Sequence, residues 1–138
     1  MSAAAPKTPR AGRPLRILVA DDERDAAASL ALLLQMEGYE VREVYRGDAV
    51  LYMVRDFRPD AILLDIGMPG MSGYEAAREI KELYGQDAPL LVAITGWSGP
   101  SDRILAKLVG FHHHVAKPYD SDQVLALLAP LSRSVASV

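Results

Sequence analysis

Asp65 is where the chemistry of this chain gathers. It ends an apolar run, Ala61 to Leu64, and is followed by a loop, IGMPGMSG, before a helical pattern starts at Tyr74. A short apolar run between turn residues reads as a strand buried on both faces. A carboxylate at its carboxyl end is placed for a site and not for packing, because open parallel sheets carry their sites there. Asp21 and Asp22 follow another such run, Leu15 to Ala20; Thr95 and Gly96 follow Pro89 to Ile94; Lys117 and Pro118 follow Phe111 to Ala116. Two or three carboxylates, one hydroxyl and one ammonium suit phosphoryl transfer, which asks for positioning and neutralisation of charge on phosphoryl oxygens. A carboxylate can attack phosphorus to give an aspartyl phosphate. The adjacent acids Asp21 and Asp22 suit a hard cation such as Mg²⁺, although a solvated acidic turn would look the same. No nucleophile elbow is present, and there is no cysteine for thiolate or disulfide chemistry.

The elements that must bring these residues together alternate along the chain. Helical spacing predicts helices over Glu23 to Gly38, Gly47 to Phe57, Tyr74 to Tyr84, Ser101 to Val109 and Ser121 to Leu131. Tyr39 to Tyr45 alternates apolar and polar residues and reads as a half-buried, less central strand. The order is β-α five times, which implies a parallel sheet covered by helices on both faces. All five strands then point the same way, and the polar residues at their ends converge on one edge.

At 138 residues with a half-hydrophobic composition, one globular domain is expected. It is expected over residues 15–132, after a basic disordered arm at 1–14 and before a short tail at 133–138. The net charge of −3 disfavours nucleic acid as a partner. No apolar run is long enough for a membrane span and no secretory h-region is present, so a cytoplasmic protein is expected.

The acidic pair 21–22, the DIGMPGMSG run from Asp65, Thr95-Gly96 and Lys117-Pro118, in that order, resemble a response-regulator receiver domain of bacterial two-component signalling. The resemblance spans Leu15 to Leu131. It implies the flavodoxin-like (βα)5 sandwich with sheet order 2-1-3-4-5, an order the receiver fold is a standard instance of. It implies that Asp65 takes a phosphoryl group from a phosphohistidine. Asp22, Asp65 and the Gly67 carbonyl would hold Mg²⁺ (or Mn²⁺), with Asp21 acting through water. Thr95, Gly96 and Lys117 would meet the phosphoryl oxygens, and Lys117-Pro118 would be cis.

The implied partners are a sensor histidine kinase or histidine phosphotransfer protein, and a downstream protein at the surface of the fourth helix, fifth strand and fifth helix. A homodimer is left open. Such a chain is a phosphoacceptor that assists its own phosphorylation, not an enzyme with a separate substrate. No output domain follows Leu131 in this sequence, which suggests a stand-alone regulator. The rival readings are a receiver from a hybrid histidine kinase, a pseudo-receiver, and an aspartyl-phosphate phosphatase. The last wants an acid two residues after its nucleophile, where this chain has Gly67.

His114 stands where the family usually has a Tyr or Phe that swings inward as Thr95 moves. Strand alternation puts His112 and His114 on one face and His113 on the other. Two imidazoles on one face could hold a metal; packing at the sheet and helix surfaces is the plainer expectation. Trp97 is either a partner anchor or a lid on the site. Tyr119 is expected in the core and Leu125 off the apolar face of its helix.

Overall fold

The computed structural model describes residues 13–96 and 99–136, the last five of these by backbone only. Its strands are β1 (Arg16–Ala20), β2 (Glu40–Val44), β3 (Ala61–Asp65), β4 (Leu90–Thr95) and β5 (His113–Ala116). Its helices are α1 (Arg24–Met36), α2 (Gly47–Phe57), α3 (Gly73–Tyr84), α4 (Pro100–Val109) and α5 (Ser121–Ala136). The sheet runs β2-β1-β3-β4-β5 with every neighbouring pair parallel. This is the flavodoxin-like architecture expected from the alternation.

Alternation along the strands divides the core into two layers. Leu18, Ile62, Leu64, Leu91 and Ala93 pack under α2, α3 and α4 with Val50, Ala77, Ile80 and Ala106. Ile17, Val19, Leu63, Val92 and Val115 pack under α1 and α5 with Ala27, Leu34, Val124 and Leu128. β3 is buried at all five positions because it is the middle strand and is covered from both sides. β2 is an edge, and Glu40 to Glu43 remain partly or fully open.

Four sequence expectations need correction. β5 starts at His113, two residues late, because His112 uses its side chain in the ladder. Its amide donates to the Leu91 carbonyl at 2.8 Å, while its Nδ1 accepts the Leu91 N–H at 3.0 Å. α5 continues to Ala136 through Pro130, so part of the segment expected as a tail is helical. Pro130 has no N–H to offer the preceding turn, yet the helix passes through it. Leu125 is half-buried and packs on the core beside Tyr119, Leu127 and Leu131. Arg13, expected in the loose arm, lies 3.4 Å from the buried Asp60 carboxylate. The reading of the remaining arm falls on residues 1–12, outside the described residues.

Candidate functional site

Asp65 is the last residue of β3, buried to 8% exposure at the carboxyl edge. Its Oδ1 accepts the Gly67 N–H at 3.0 Å, and its Oδ2 accepts from the Lys117 ammonium at 2.9 Å. The loop that follows is anchored and does not float: Ile66 and Met68 are buried in the α2–α3–α4 core layer. At its far end Gly73 opens α3 so close to the chain that a Cβ there would lie 2.6 Å from Ile66 Cα. Ser72 caps that helix, its Oγ accepting the Glu75 N–H at 3.2 Å while Glu75 accepts from the Ser72 amide. The helix start, the loop and Asp65 are thus one packed unit.

Asp21 comes from the end of β1. It is buried, and its Oδ1 accepts the Glu23 N–H at 2.9 Å. Asp22 beside it is exposed. Carboxylate oxygens of Asp21, Asp22 and Asp65 lie within 4.8 Å of one another. Among the described residues this is the one group of three or more side chains able to hold a metal ion. Three carboxylates converging at this range repel one another unless a cation sits among them, and an all-oxygen set suits a hard divalent ion. Burial, opposed by the Glu23 N–H and reinforced by the Asp65 charge, raises the Asp21 pKa above the ordinary carboxylate value.

Lys117 supplies the facing charge. Its ammonium is 2.9 Å from Asp65 and 3.8 Å from Asp21. Burial alone would favour its neutral form, but the bond to Asp65 and the nearby carboxylates outweigh this, and its pKa is raised. The Lys117-Pro118 peptide is cis, and the Lys117 amide donates to the Thr95 carbonyl at 2.8 Å. Thr95 ends β4 and is 2% exposed; Gly96 next to it is exposed. The residues selected at the strand ends are therefore brought to one edge, at hydrogen-bonding or near-contact range for the three aspartates and Lys117. Trp97 lies outside the described residues.

The family model for the response regulator receiver domain matches residues 17–129. The chain belongs to the response regulator receiver domain family. Response regulator MprA of Mycobacterium sp. (strain KMS) is 35% identical over 120 residues, covering 87% of this chain and 51% of that protein. The chain spans about half the length of the curated relatives it matches. A putative response regulator from Chloroflexus aurantiacus J-10-fl superposes with TM-score 0.78 at 26% identity, covering 87% of this chain and 99% of that one. The CheY-like receiver domain protein from Methanospirillum hungatei JF-1 shares the fold at TM-score 0.80 and 22% identity, over 91% of this chain and 99% of that chain.

Within the receiver domain, the histidines separate by role. His112 is exposed and engaged with Leu91, and His113 is half-buried on the opposite face of β5 from His114. His114 pairs in register with Ala93 and faces the α4 side of the sheet. Among the described residues neither of its ring nitrogens has a hydrogen-bond partner, although both are buried. Spacing alone could suggest a His112–His114 metal pair, but His112 lies before the strand begins and its Nδ1 is already occupied.

Two neighbours of the receiver site were not singled out as such from the sequence. Tyr119 is half-buried, and its pKa is raised by burial and then by the nearby Asp21 charge. The Arg24 guanidinium sits 4.0 Å over the Tyr45 ring, just after the acidic turn. The only sequence signal for either was proximity to a motif, Tyr119 two residues past Lys117 and Arg24 two past Asp22.

Proposed function

We propose that Asp65 accepts a phosphoryl group from a phosphohistidine of a sensor kinase or phosphotransfer protein. The observation that carries this reading is the Asp65 carboxylate itself, held between the Gly67 amide and the Lys117 ammonium with two further carboxylates beside it. An Asp65 oxygen attacks phosphorus, the P–N bond of the donor breaks, and the leaving imidazole recovers a proton. Lys117, already at 2.9 Å, stays with the acquired negative charge, and Thr95 at the end of β4 offers a hydroxyl to another phosphoryl oxygen.

Asp21, Asp22 and Asp65, with the Gly67 carbonyl, would hold Mg²⁺ or Mn²⁺. The ion supplies charge neutralisation at the phosphoryl oxygens. The carboxylates orient the site whether or not a donor is bound, and the loop anchored by Ile66 and Met68 keeps Gly67 beside Asp65.

On this reading the protein is a cytoplasmic phosphoacceptor, not an enzyme with its own substrate. The phosphatase alternative lacks an acid at position 67 to protonate a leaving group. Phosphorylation would bias a surface made by α4, β5 and α5, with His114 on β5 under α4 as part of the change.

The test is intact mass after incubation with acetyl phosphate and Mg²⁺, for the parent and Asp65→Asn. One added phosphoryl group, absent from the nearly isosteric variant, is expected. Equal labelling of both proteins would overturn the assignment of Asp65.

A further inference from the structure

α4 divides its exposed surface unevenly. Ala106 is buried and Val109 packs against the core, so they mark the inward side of the helix. At about 100° per residue, Ile104, Leu105 and Leu108 fall on one flank, and Arg103 and Lys107 on the other. The apolar flank is open: Ile104 is 62% exposed, Leu105 43% and Leu108 78%. Leu108 and Val109 line a groove with Arg78, Lys81 and Glu82 of α3, so the apolar flank is the one turned towards α3. The opposite flank is the basic one.

The groove carries a fixed positive charge. The Lys81 stem lies across the turn after α4, where a Cβ on Gly110 would collide with it. Gly110 has φ +117°, which a side chain would resist in any case. Arg78 is paired with Glu82 at 3.5 Å, whereas Lys81 has no carboxylate partner among the described residues. An apolar ridge at i, i+1 and i+4 beside an uncompensated ammonium is complementary to a helix with its own apolar ridge and a flanking carboxylate.

We propose that the α3–α4 groove, with Leu108 as its anchor, Leu105 beside it on the same flank and Lys81 as the charge contact, docks an acidic amphipathic helix of a partner protein. The groove uses the second half of α3 and the last turn of α4. These are the helix ends away from the Asp65 edge, so docking does not depend on the phosphoacceptor reading. A cationic partner would face Lys81.

The experiment uses the full chain, ¹⁵N-labelled, titrated with two synthetic helical peptides. Both have leucines at i, i+4 and i+7; one has flanking glutamates and the other lysines. The acidic peptide is expected to shift amides at 78–82 and 104–110, and the basic peptide is not. Leu108→Ser is expected to weaken the acidic peptide about tenfold, a conservative share of the value of burying one leucine. Lys81→Met keeps the stem over Gly110 and removes the charge, and is expected to weaken it severalfold. Circular dichroism confirms that each variant is folded before titration. Shifts confined to other surfaces, no shift at millimolar peptide, or equal binding of the two peptides would overturn the proposal. So would self-association of the chain that Leu108→Ser abolishes, since a second copy would then be the occupant.

Discussion

Lys117 donates to Asp65 Oδ2 at 2.9 Å across the gap between β5 and β3, spanning β4 without a main-chain bond between the two strands. The reach is set from its other end: the Lys117 amide is tied to the Thr95 carbonyl at 2.8 Å, and the following peptide is cis. Lys117→Ala should therefore leave the three carboxylates in place and still allow Mg²⁺ to bind, with affinity equal to or above the parent's because a competing cation is gone. It should lose the conformational response to beryllofluoride. Titration calorimetry with Mg²⁺ and amide spectra with beryllofluoride check the two halves separately. A normal response would remove Lys117 from the signalling step.

Mg²⁺ should stabilise the fold, because the carboxylates of Asp21, Asp22 and Asp65 converge only in the folded chain. At an ion concentration about 100 times the dissociation constant, the gain is about 2.7 kcal/mol, seen as a rise in Tm. Asp22→Ala should remove most of this rise while altering the metal-free Tm little, since Asp22 is exposed and its loss relieves repulsion. An unchanged Mg²⁺ response in this variant would exclude Asp22 as a ligand.

His112 should make the fold less stable in mild acid. Although the residue is exposed as a whole, its pKa is lowered, first by partial desolvation of the ring against Leu91 and then by the charges of Lys81 and His113. The Nδ1 that accepts the Leu91 N–H must also be unprotonated. A group depressed in the folded state contributes fully above the unfolded value, about 6.5 for histidine, and that contribution is lost as pH falls through the folded value. Denaturant midpoints measured from neutral pH downward should fall, and His112→Asn, whose side-chain oxygen can accept the same N–H, should flatten the fall. The raised pKa of Asp21 acts with the opposite sign, favouring the fold as that carboxylate gains its proton in the window between its unfolded and raised values. Parallel profiles for the parent and His112→Asn would show that His112 is not the group responsible.

His114→Phe should stabilise the domain. The native ring buries two nitrogens without partners among the described residues, and an unsatisfied buried polar group costs about 1–3 kcal/mol. A phenyl ring of similar shape removes that cost, so a gain of about 1 kcal/mol or more is expected in urea unfolding. Register places His114 and Thr95 on the same face of adjacent strands, two register steps apart, because Ala93 pairs with His114 and Thr95 with Ala116. The substitution should therefore also change beryllofluoride affinity. Destabilisation would mean that the imidazole finds a polar partner the buried position does not reveal.

Much of this protein is written locally. The buried runs, the helical spacing and the alternation of the two are enough to state a parallel five-stranded sheet covered on both sides, because period-2 and period-3.6 patterns can be satisfied together in few ways. Asp21, Asp22, Asp65, Thr95 and Lys117 were legible for the same reason. Each sits at the carboxyl end of a strand, and parallel strands deliver such ends to one edge. The tertiary structure decided what no local pattern encodes. It set the 2.9 Å pairing of Lys117 with Asp65, since two residues 52 apart in sequence meet only through the strand order. It shortened β5, because the His112 side chain found the Leu91 amide on a neighbouring strand. It left His114 without a polar partner among the described residues and turned Leu108 of α4 towards α3. Periodicity says which residues share a face of an element; only packing says what that face meets.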